Sequence, residues 1–408
     1  MDMLTDQRRR LLALLIMAAV ALMVSSLDIY LPAMPLMRDY FGTNEYMMQL
    51  CMMVNPLASA LVSMVFGRLC DVYGRRPVLF ASFGFFLVGA LGCCFAETIE
   101  SFFLSRFVQA IGCGGISVLG VVIIADMFHG IDYARYMSIY GSLFPLVFAI
   151  SPILGAYIIE SFGWRSCFIF NFVAMLMVVI PLRILLPETI KKGEQANQGG
   201  FKELLFKGKM LLGDGEFLLM ALGHALPITL TGLFLASSSF IFIDGFGFKP
   251  TLFSLCQSIP IILNFVGALV YKRYIERLGL KGALRMGALG MSGFVVGALA
   301  LLTHSIPNSP VVILAIFCFV NFSMPFVVAT CITRAIEIFP DDRGLSVSIV
   351  GGLRNFFLAT IVSFAGLFFN GTIFPVYIAM ILVVFTVLGI IFGALQRPLV
   401  FGEEGSSS

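Results

Sequence analysis

The sequence predicts an all-α membrane protein: twelve transmembrane helices in two six-helix, pseudo-symmetric bundles. Three observations predict it. First, 59% of the 408 residues are apolar and 12% charged, against roughly 45–50% and 25% in soluble domains. So little polar surface excludes a water-soluble enzyme, a disordered chain and a nucleic-acid binder. The net charge of +3 offers no field for a polyanion. Second, twelve apolar runs follow one another, each near the ~20 residues that a helix needs to cross a bilayer. Third, with the N-terminus inside and the helices alternating, twenty of the 26 Lys and Arg fall in inner segments. Only Arg38, Arg165 and Lys249 fall in outer ones. That bias puts both ends in the cytoplasm of a multi-pass inner-membrane protein.

The first six expected spans are 11–32, 46–66, 78–96, 101–124, 135–159 and 165–186. The second six are 216–242, 251–271, 282–303, 310–333, 345–370 and 373–395. All exceed the ~10 residues of a barrel strand. Arg8, Arg9 and Arg10 precede the first run as in a secretory signal, but no small-residue cleavage site follows, so the run is expected to stay. Residues 187–215 form the one long polar segment, read as a cytoplasmic linker between an N-terminal bundle, 1–186, and a C-terminal bundle with its tail, 216–408. Within it Phe201, Leu204, Leu205, Leu211 and Leu212 recur at helical spacing among Lys202, Glu203, Lys207 and Lys209. Two readings stay open: a helix on the inner membrane surface and a solvated linker. The nine cysteines lie mostly inside apolar runs without a C-x-x-C, as small apolar fillers. No metal site is expected.

A faint repeat joins the halves. Asp71-Val-Tyr-Gly74 and Glu276-Arg-Leu-Gly279 match at an offset of 205. Asp126-Met-Phe and Glu337-Ile-Phe match at 211. Offsets near half the chain length suggest a duplicated six-helix unit, the parallel repeat seen in transporters.

The sharpest motif is Gly67-Arg-Leu-Cys-Asp71-Val-Tyr-Gly74-Arg75-Arg76-Pro77, between the second and third spans. Gly67 suits a close helix contact, Gly74 a turn with positive φ, and Asp71 a helix N-terminus. A basic turn obeying the charge bias explains the arginines alone. The whole string resembles the signature loop of the major facilitator superfamily. Leu27-Asp28-Ile-Tyr-Leu-Pro32-Ala-Met-Pro35 resembles the end of the first helix in the Bcr/CflA-type drug:proton antiporters. Arg106-Phe-Val-Gln109-Ala-Ile-Gly112 is similar to the fourth-helix motif, and Gly163-Trp164-Arg165 with Asn171 to the entry to the sixth helix. Ser151-Pro152-Ile-Leu-Gly155-Ala156 resembles the fifth-helix antiporter motif, with Ser151 and Ala156 in place of its first and last glycines. The resemblance implies that Asp71 caps the eleventh helix and that Arg75 pairs with Asp126. It also implies a gating role for Gly67, Asp71, Gly74, Arg75, Asp126, Pro152 and Gly155.

Charges inside a span cost at least ~2.5–3.5 kcal/mol and are functional candidates by default. Asp28 and Arg106 sit at similar expected depths, ~6–8 Å below the outer boundary. They are read as a proton-coupling pair, or alternatively as a permanent ion pair that locks the outer half. Arg354 falls near mid-membrane in the eleventh span with no acid at its depth. An anionic or zwitterionic substrate, or bonds to carbonyls and Asn355, would answer it. Polar stripes add Asn55, Gln109, Gln257, Asn264, Asn321 and Asn355 as cavity candidates. Phe144, Phe148 and His224 complete the expected substrate-binding set, each with a plain packing alternative.

The expected function is secondary active transport of a small organic molecule by alternating access, as proton-coupled efflux of drugs or amphipathic metabolites. Proton-coupled uptake of an anionic metabolite or siderophore, and a transport-inactive sensor or scaffold, stay open. No cofactor is expected, and the proton gradient is the energy source. No Walker loop, H-E-x-x-H or nucleophile–base set points to an enzyme. The expected partners are substrate, protons and lipid, with the protein a monomer.

Overall fold

Long apolar stretches satisfy every backbone polar group internally by becoming helices, the only open-ended solution in lipid. The computed structural model describes residues 6–188 and 201–396, except the side chains of 63, 64, 67, 68, 71, 134, 142, 201–205 and 341. Among the described residues there is no strand. The first part runs α1 (Asp6–Asp28), a 3₁₀ turn (Leu31–Ala33), α2 (Met34–Phe41), α3 (Glu45–Tyr73), α4 (Arg75–Phe95), α5 (Ile99–Met127), α6 (Gly130–Phe162) and α7 (Arg165–Leu185). Then follow α8 (Phe201–Gly213), α9 (Gly215–Ser239), a π-helical turn (Phe240–Gly245), α10 (Pro250–Leu302), α11 (Pro310–Ile338), α12 (Arg343–Gly366) and α13 (Ile373–Gln396).

Gly279, at φ 60° and ψ 176°, breaks α10 into two rods. Counting these separately, the described residues hold twelve helices of at least 21 residues, as the apolar runs predict. Helix starts are written locally. Asn44 accepts from the Met47 amide at 2.9 Å, and Thr98 forms a capping box with Ser101. Asp214 accepts from the amides of Glu216 and Phe217 at 2.9 and 2.7 Å.

One boundary differs from expectation. The first span does not run unbroken to residue 32. Helix α1 stops at Asp28, and Pro32 and Pro35 start the 3₁₀ turn and α2. A proline without an N–H fits the first turn of a new helix and not the interior of an old one. Asp28 is therefore the last residue of α1, not a residue one turn inside it. Residues 189–200 of the expected linker, Lys191 and Lys192 among them, lie outside the described residues, as does the tail from 397. Helix α8 is present, with Leu211 buried and the Lys207 ammonium 2.8 Å from Asp342 Oδ1.

Two compact units emerge, each discontinuous in sequence. One contains residues 1–200, 235–258 and 359–372. The other contains 201–234, 259–358 and 373–408. In the first, α5 packs closely against α3 and α4, and α1 against α5, α6 and α7. Its core joins Val20, Val24, Phe83, Phe86, Ile116, Leu119 and Ile123.

Candidate functional site

Among the described residues, the first unit buries one basic side chain completely. Arg106, eighth residue of α5, has no exposed surface. Its guanidinium donates to Gln109 Oε1 at 2.6 Å, to the Ser26 carbonyl at 3.1 Å and to the Tyr30 hydroxyl at 3.3 Å. It also lies over the Tyr30 ring, 4.7 Å from its centre, an arrangement that favours a cation. Tyr30 packs in turn on Phe102 and Phe168, which with Phe41 and the single tryptophan, Trp164, make an aromatic cluster.

Asp28 is 2% exposed. It makes no ion pair with Arg106 within 4.0 Å: the charges share a neighbourhood and not a bond. The directly bonded pair that equal depth allows is not formed; the terminal nitrogens of the guanidinium bond Gln109, Ser26 and Tyr30 instead. Asp28 Oδ2, Arg106 Nε and Gln109 Nε2 are all buried without a hydrogen-bond partner among the described residues. Three orphan polar atoms on the side chains of one small charged neighbourhood are unusual in a packed interior. Asn55 lies on the same side, its amide 3.7 Å from Cys113 Sγ and its Oδ1 accepting from Ser59.

Helix α6 meets α1 beside Asp28. A Cβ at Gly155 would run into the Ile29 carbonyl, so only glycine allows this approach. Ser151, which stands where the resembled motif has glycine, donates to the Ser25 carbonyl at 3.0 Å and lies 2.9 Å from the Ser25 hydroxyl. The extra hydroxyl thus becomes a tie between the helices. Pro152 is buried in the same seam. Gly155→Ala is expected to destabilise the protein by about 1–3 kcal/mol through overpacking, read as a lower Tm in detergent. An unchanged Tm would show the seam to be compliant. Phe144 and Phe148 are half-buried and pack on the core of this unit.

At the end carrying the N-terminus, the loop motif shrinks to one residue. Gly74, at φ 95°, is all that separates α3 from α4. Gly279 does the same in α10, so the repeated glycines mark equivalent breaks. Arg75 Nε bonds Asp126 Oδ2 at 3.1 Å, the pairing that the resemblance implies. Sequence reasoning missed Glu188, whose carboxylate accepts from the amides of Arg75 and Arg76 at 2.9 and 3.2 Å. An anion at the first amides of α4 suits the positive end of a helix. The surroundings of Gly67 and the side chain of Asp71 lie outside what the structure describes. Exchanging the charges of Arg75 and Asp126 is expected to restore part of the transport lost in either single reversal. The pair is half-exposed, so a double-mutant cycle on stability should read only about 1 kcal/mol.

At the opposite end the first unit is tied together by polar contacts. Arg38 bonds Asp244 and Glu45 at 2.8 and 2.9 Å. Glu160 accepts from the amide and hydroxyl of Thr251, and Ser258 donates to the Ala149 carbonyl at 2.8 Å. Gln257, 2% exposed, belongs to this unit and leaves both amide atoms unpartnered.

In the second unit, Asn264 donates to the Asn321 carbonyl at 3.1 Å, and Asn321 to the Phe317 carbonyl at 3.1 Å. The first bond joins α10 to α11 and the second lies within α11, and each uses one of the two N–H donors of its amide. His224 Nδ1 lies 3.2 Å from the Val328 carbonyl. Arg354 donates from Nε to Asn355 Oδ1 at 3.1 Å.

The comparisons agree with this architecture. A family model described as Major Facilitator Superfamily matches residues 14–360. An uncharacterized transporter of Rickettsia bellii (strain RML369-C) is 27% identical over 299 residues, 70% of this chain and 72% of that relative. A chloramphenicol resistance protein of Pseudomonas aeruginosa is 28% identical over 276 residues, 67% of this chain and 64% of that relative, under two thirds of its length. A solved bacterial homologue of the human lysosomal transporter Spinster, inward-facing and unoccupied, aligns with a TM-score of 0.74 at 14% identity. The alignment covers 96% of this chain and 98% of that one, and the likeness is one of fold. With a family match across most of its length and twelve long helices, the chain belongs to the Major Facilitator Superfamily, a family of multi-pass membrane transporters and not of enzymes.

Proposed function

We propose that this protein exports a small organic molecule across the cytoplasmic membrane in exchange for protons, by alternating access, as a monomer with both termini inside. Asp28 carries the reading. It is a buried carboxyl at the end of α1 with an unpartnered oxygen. It lies beside a fully buried guanidinium that binds other groups. An ionised carboxylate there bears a desolvation cost of several kcal/mol that the unbonded Arg106 offsets only in part, and a proton removes it. Rearrangement of the α1–α6 seam, one residue away at Ile29, is suited to admit water or free an Arg106 donor and release that proton. The chloramphenicol resistance protein supports drugs and amphipathic metabolites as the substrate class. On this reading 1–186 and 216–408 are the two halves that rock about the substrate, and Arg75 with Asp126 steadies the inner gate.

Substrate-dependent proton movement in oriented proteoliposomes tests it. The panel holds neutral drugs, cationic drugs and organic anions, and a dye reports lumenal pH. Proton flux opposite to substrate flux is expected. Movement in the same direction would overturn exchange in favour of uptake, the second reading, which Arg354 supports through its unbalanced charge. No coupled flux with any compound, from a well-folded protein, would favour the sensor.

A further inference from the structure

Arg354 occupies a position that packing alone does not account for. It is the twelfth of the 24 residues of α12, so its Cα lies ~16 Å along the helix from either end at ~1.5 Å per residue. A charge at that depth is costly unless it faces protein polar groups or a wet cavity. Protein supplies little. Nε donates to the neighbouring Asn355, and among the described residues no carboxylate pairs with it. Among the acids of this unit whose side chains are described, Asp214 caps α9, Glu216 and Glu337 bond Arg334, Asp342 bonds Lys207, and Glu276 is exposed three residues before the Gly279 break. The side chain is only half-buried, and neither terminal nitrogen is among the sealed, unpartnered atoms of the unit. Those two nitrogens therefore open onto accessible space within the span.

His224 of α9 stands within electrostatic range of Arg354. Its Nδ1 is engaged by the Val328 carbonyl, so its ring is oriented and supplies no negative charge. A guanidinium presents its terminal N–H groups as a planar fork that matches a carboxylate bidentately.

We propose that Arg354, flanked by His224 and Asn355, forms a binding site for the carboxylate of a small, largely apolar organic acid or zwitterion. The terminal nitrogens of Arg354 grip the two oxygens, and Asn355 keeps the guanidinium in plane through Nε. This rests on the transport reading above and names the substrate class that it leaves open: the cargo carries an anionic group.

Binding to purified protein in nanodiscs, at equilibrium and without a proton gradient, tests the site separately from coupling. The probes are 1-naphthoate and its uncharged isostere, 1-naphthamide, at fixed chloride, with affinity read by calorimetry. Wild-type protein is expected to bind the carboxylate and not the amide. Arg354→Gln is expected to weaken the carboxylate by about 10- to 100-fold, the worth of a charge-assisted bond. Arg354→Lys, which keeps the charge and loses the fork, should fall between. Both variants must elute as monodisperse protein with a Tm near wild type, and if Gln fails this, Lys carries the test. Equal carboxylate affinity in wild type and either folded variant overturns the proposal, as does binding of the amide as tightly as the acid. Loss of naphthoate binding when nanodisc lipid is switched from phosphatidylcholine to phosphatidylglycerol would assign the site to a lipid headgroup and overturn it as a substrate site. Coupled flux of a neutral drug without naphthoate binding would leave the transport reading standing and remove this one. Naphthoate binding without coupled flux would do the reverse.

Discussion

Asp28→Asn abolishes proton movement coupled to substrate in oriented proteoliposomes, while downhill substrate exchange continues. Asparagine keeps the shape of the side chain at the end of α1 but cannot take up and release a proton. Since Oδ2 has no hydrogen-bond donor in this structure, a neutral amide meets the same surroundings as a protonated carboxyl. Folding should be preserved, with Tm within a few degrees of wild type. The coupled component should drop at least ~100-fold, because a general acid–base group is absent and not merely weakened. The profile of downhill exchange against pH should flatten as well. Normal proton coupling in this variant would remove Asp28 from the mechanism. Coupling lost together with a collapsed Tm would assign Asp28 to packing.

Arg106→Met is the second large effect, and its two readouts should part company. Transport is expected to fall at least ~10-fold, because the cation that shares the interior with Asp28 is gone and the site's electrostatic balance with it. Stability is expected to stay near wild type. Arg106 is fully buried, and exchanging a buried charged group for a well-packed apolar side chain of similar volume removes a desolvation cost of ~1–4 kcal/mol. The Ser26 carbonyl and Gln109 Oε1 each lose a donor at about 1–3 kcal/mol per orphaned group, so the two effects roughly cancel. Arg106→Lys should not rescue transport: an ammonium cannot lie flat on the Tyr30 ring and reach Gln109 and Ser26 together. Scanning fluorimetry beside flux measurements checks both halves. A Tm fall of many degrees in Arg106→Met would make the arginine a structural pin and not a site held at the expense of stability.

Much of the site was legible because its signals are local. Asp28, Arg106 and Arg354 stand out as charges in apolar runs, whatever the fold. Gly74 and Gly279 announce chain breaks through their spacing from an acid. Arg75 with Asp126 came from the resemblance and forms at 3.1 Å. Tyr30 was missed because nothing in its own segment signals that its ring will lie under a side chain 76 positions later. Its only sequence mark is its place two residues after Asp28. Glu188 was missed for the same reason: its role as anion for the first amides of α4 depends on α7 returning beside Gly74. The Ser151 substitution looked like a weakened motif, and only the neighbouring Ser25 turns it into a tie. Asn264 and Asn321 read as cavity candidates by periodicity, and each gives one N–H to a backbone carbonyl that the stripe does not reveal. A stripe shows which face a residue occupies and not which atoms reach it there.

The sequence by itself determined that this chain is a bundle of membrane-length helices, where most of them begin and end, and which charges lie inside them. Run length, caps and glycine breaks act through backbone hydrogen bonds and sterics within a few residues, so no partner segment is needed to read them. The tertiary structure decided what those charges do. It ended α1 at Asp28, gave the Arg106 guanidinium to Gln109, Ser26 and Tyr30, left a carboxyl oxygen without a donor, and set Arg354 at the midpoint of α12 without an acid. Each outcome depends on which side chains far apart in sequence converge on a few ångströms of low-dielectric space. Only packing settles that competition.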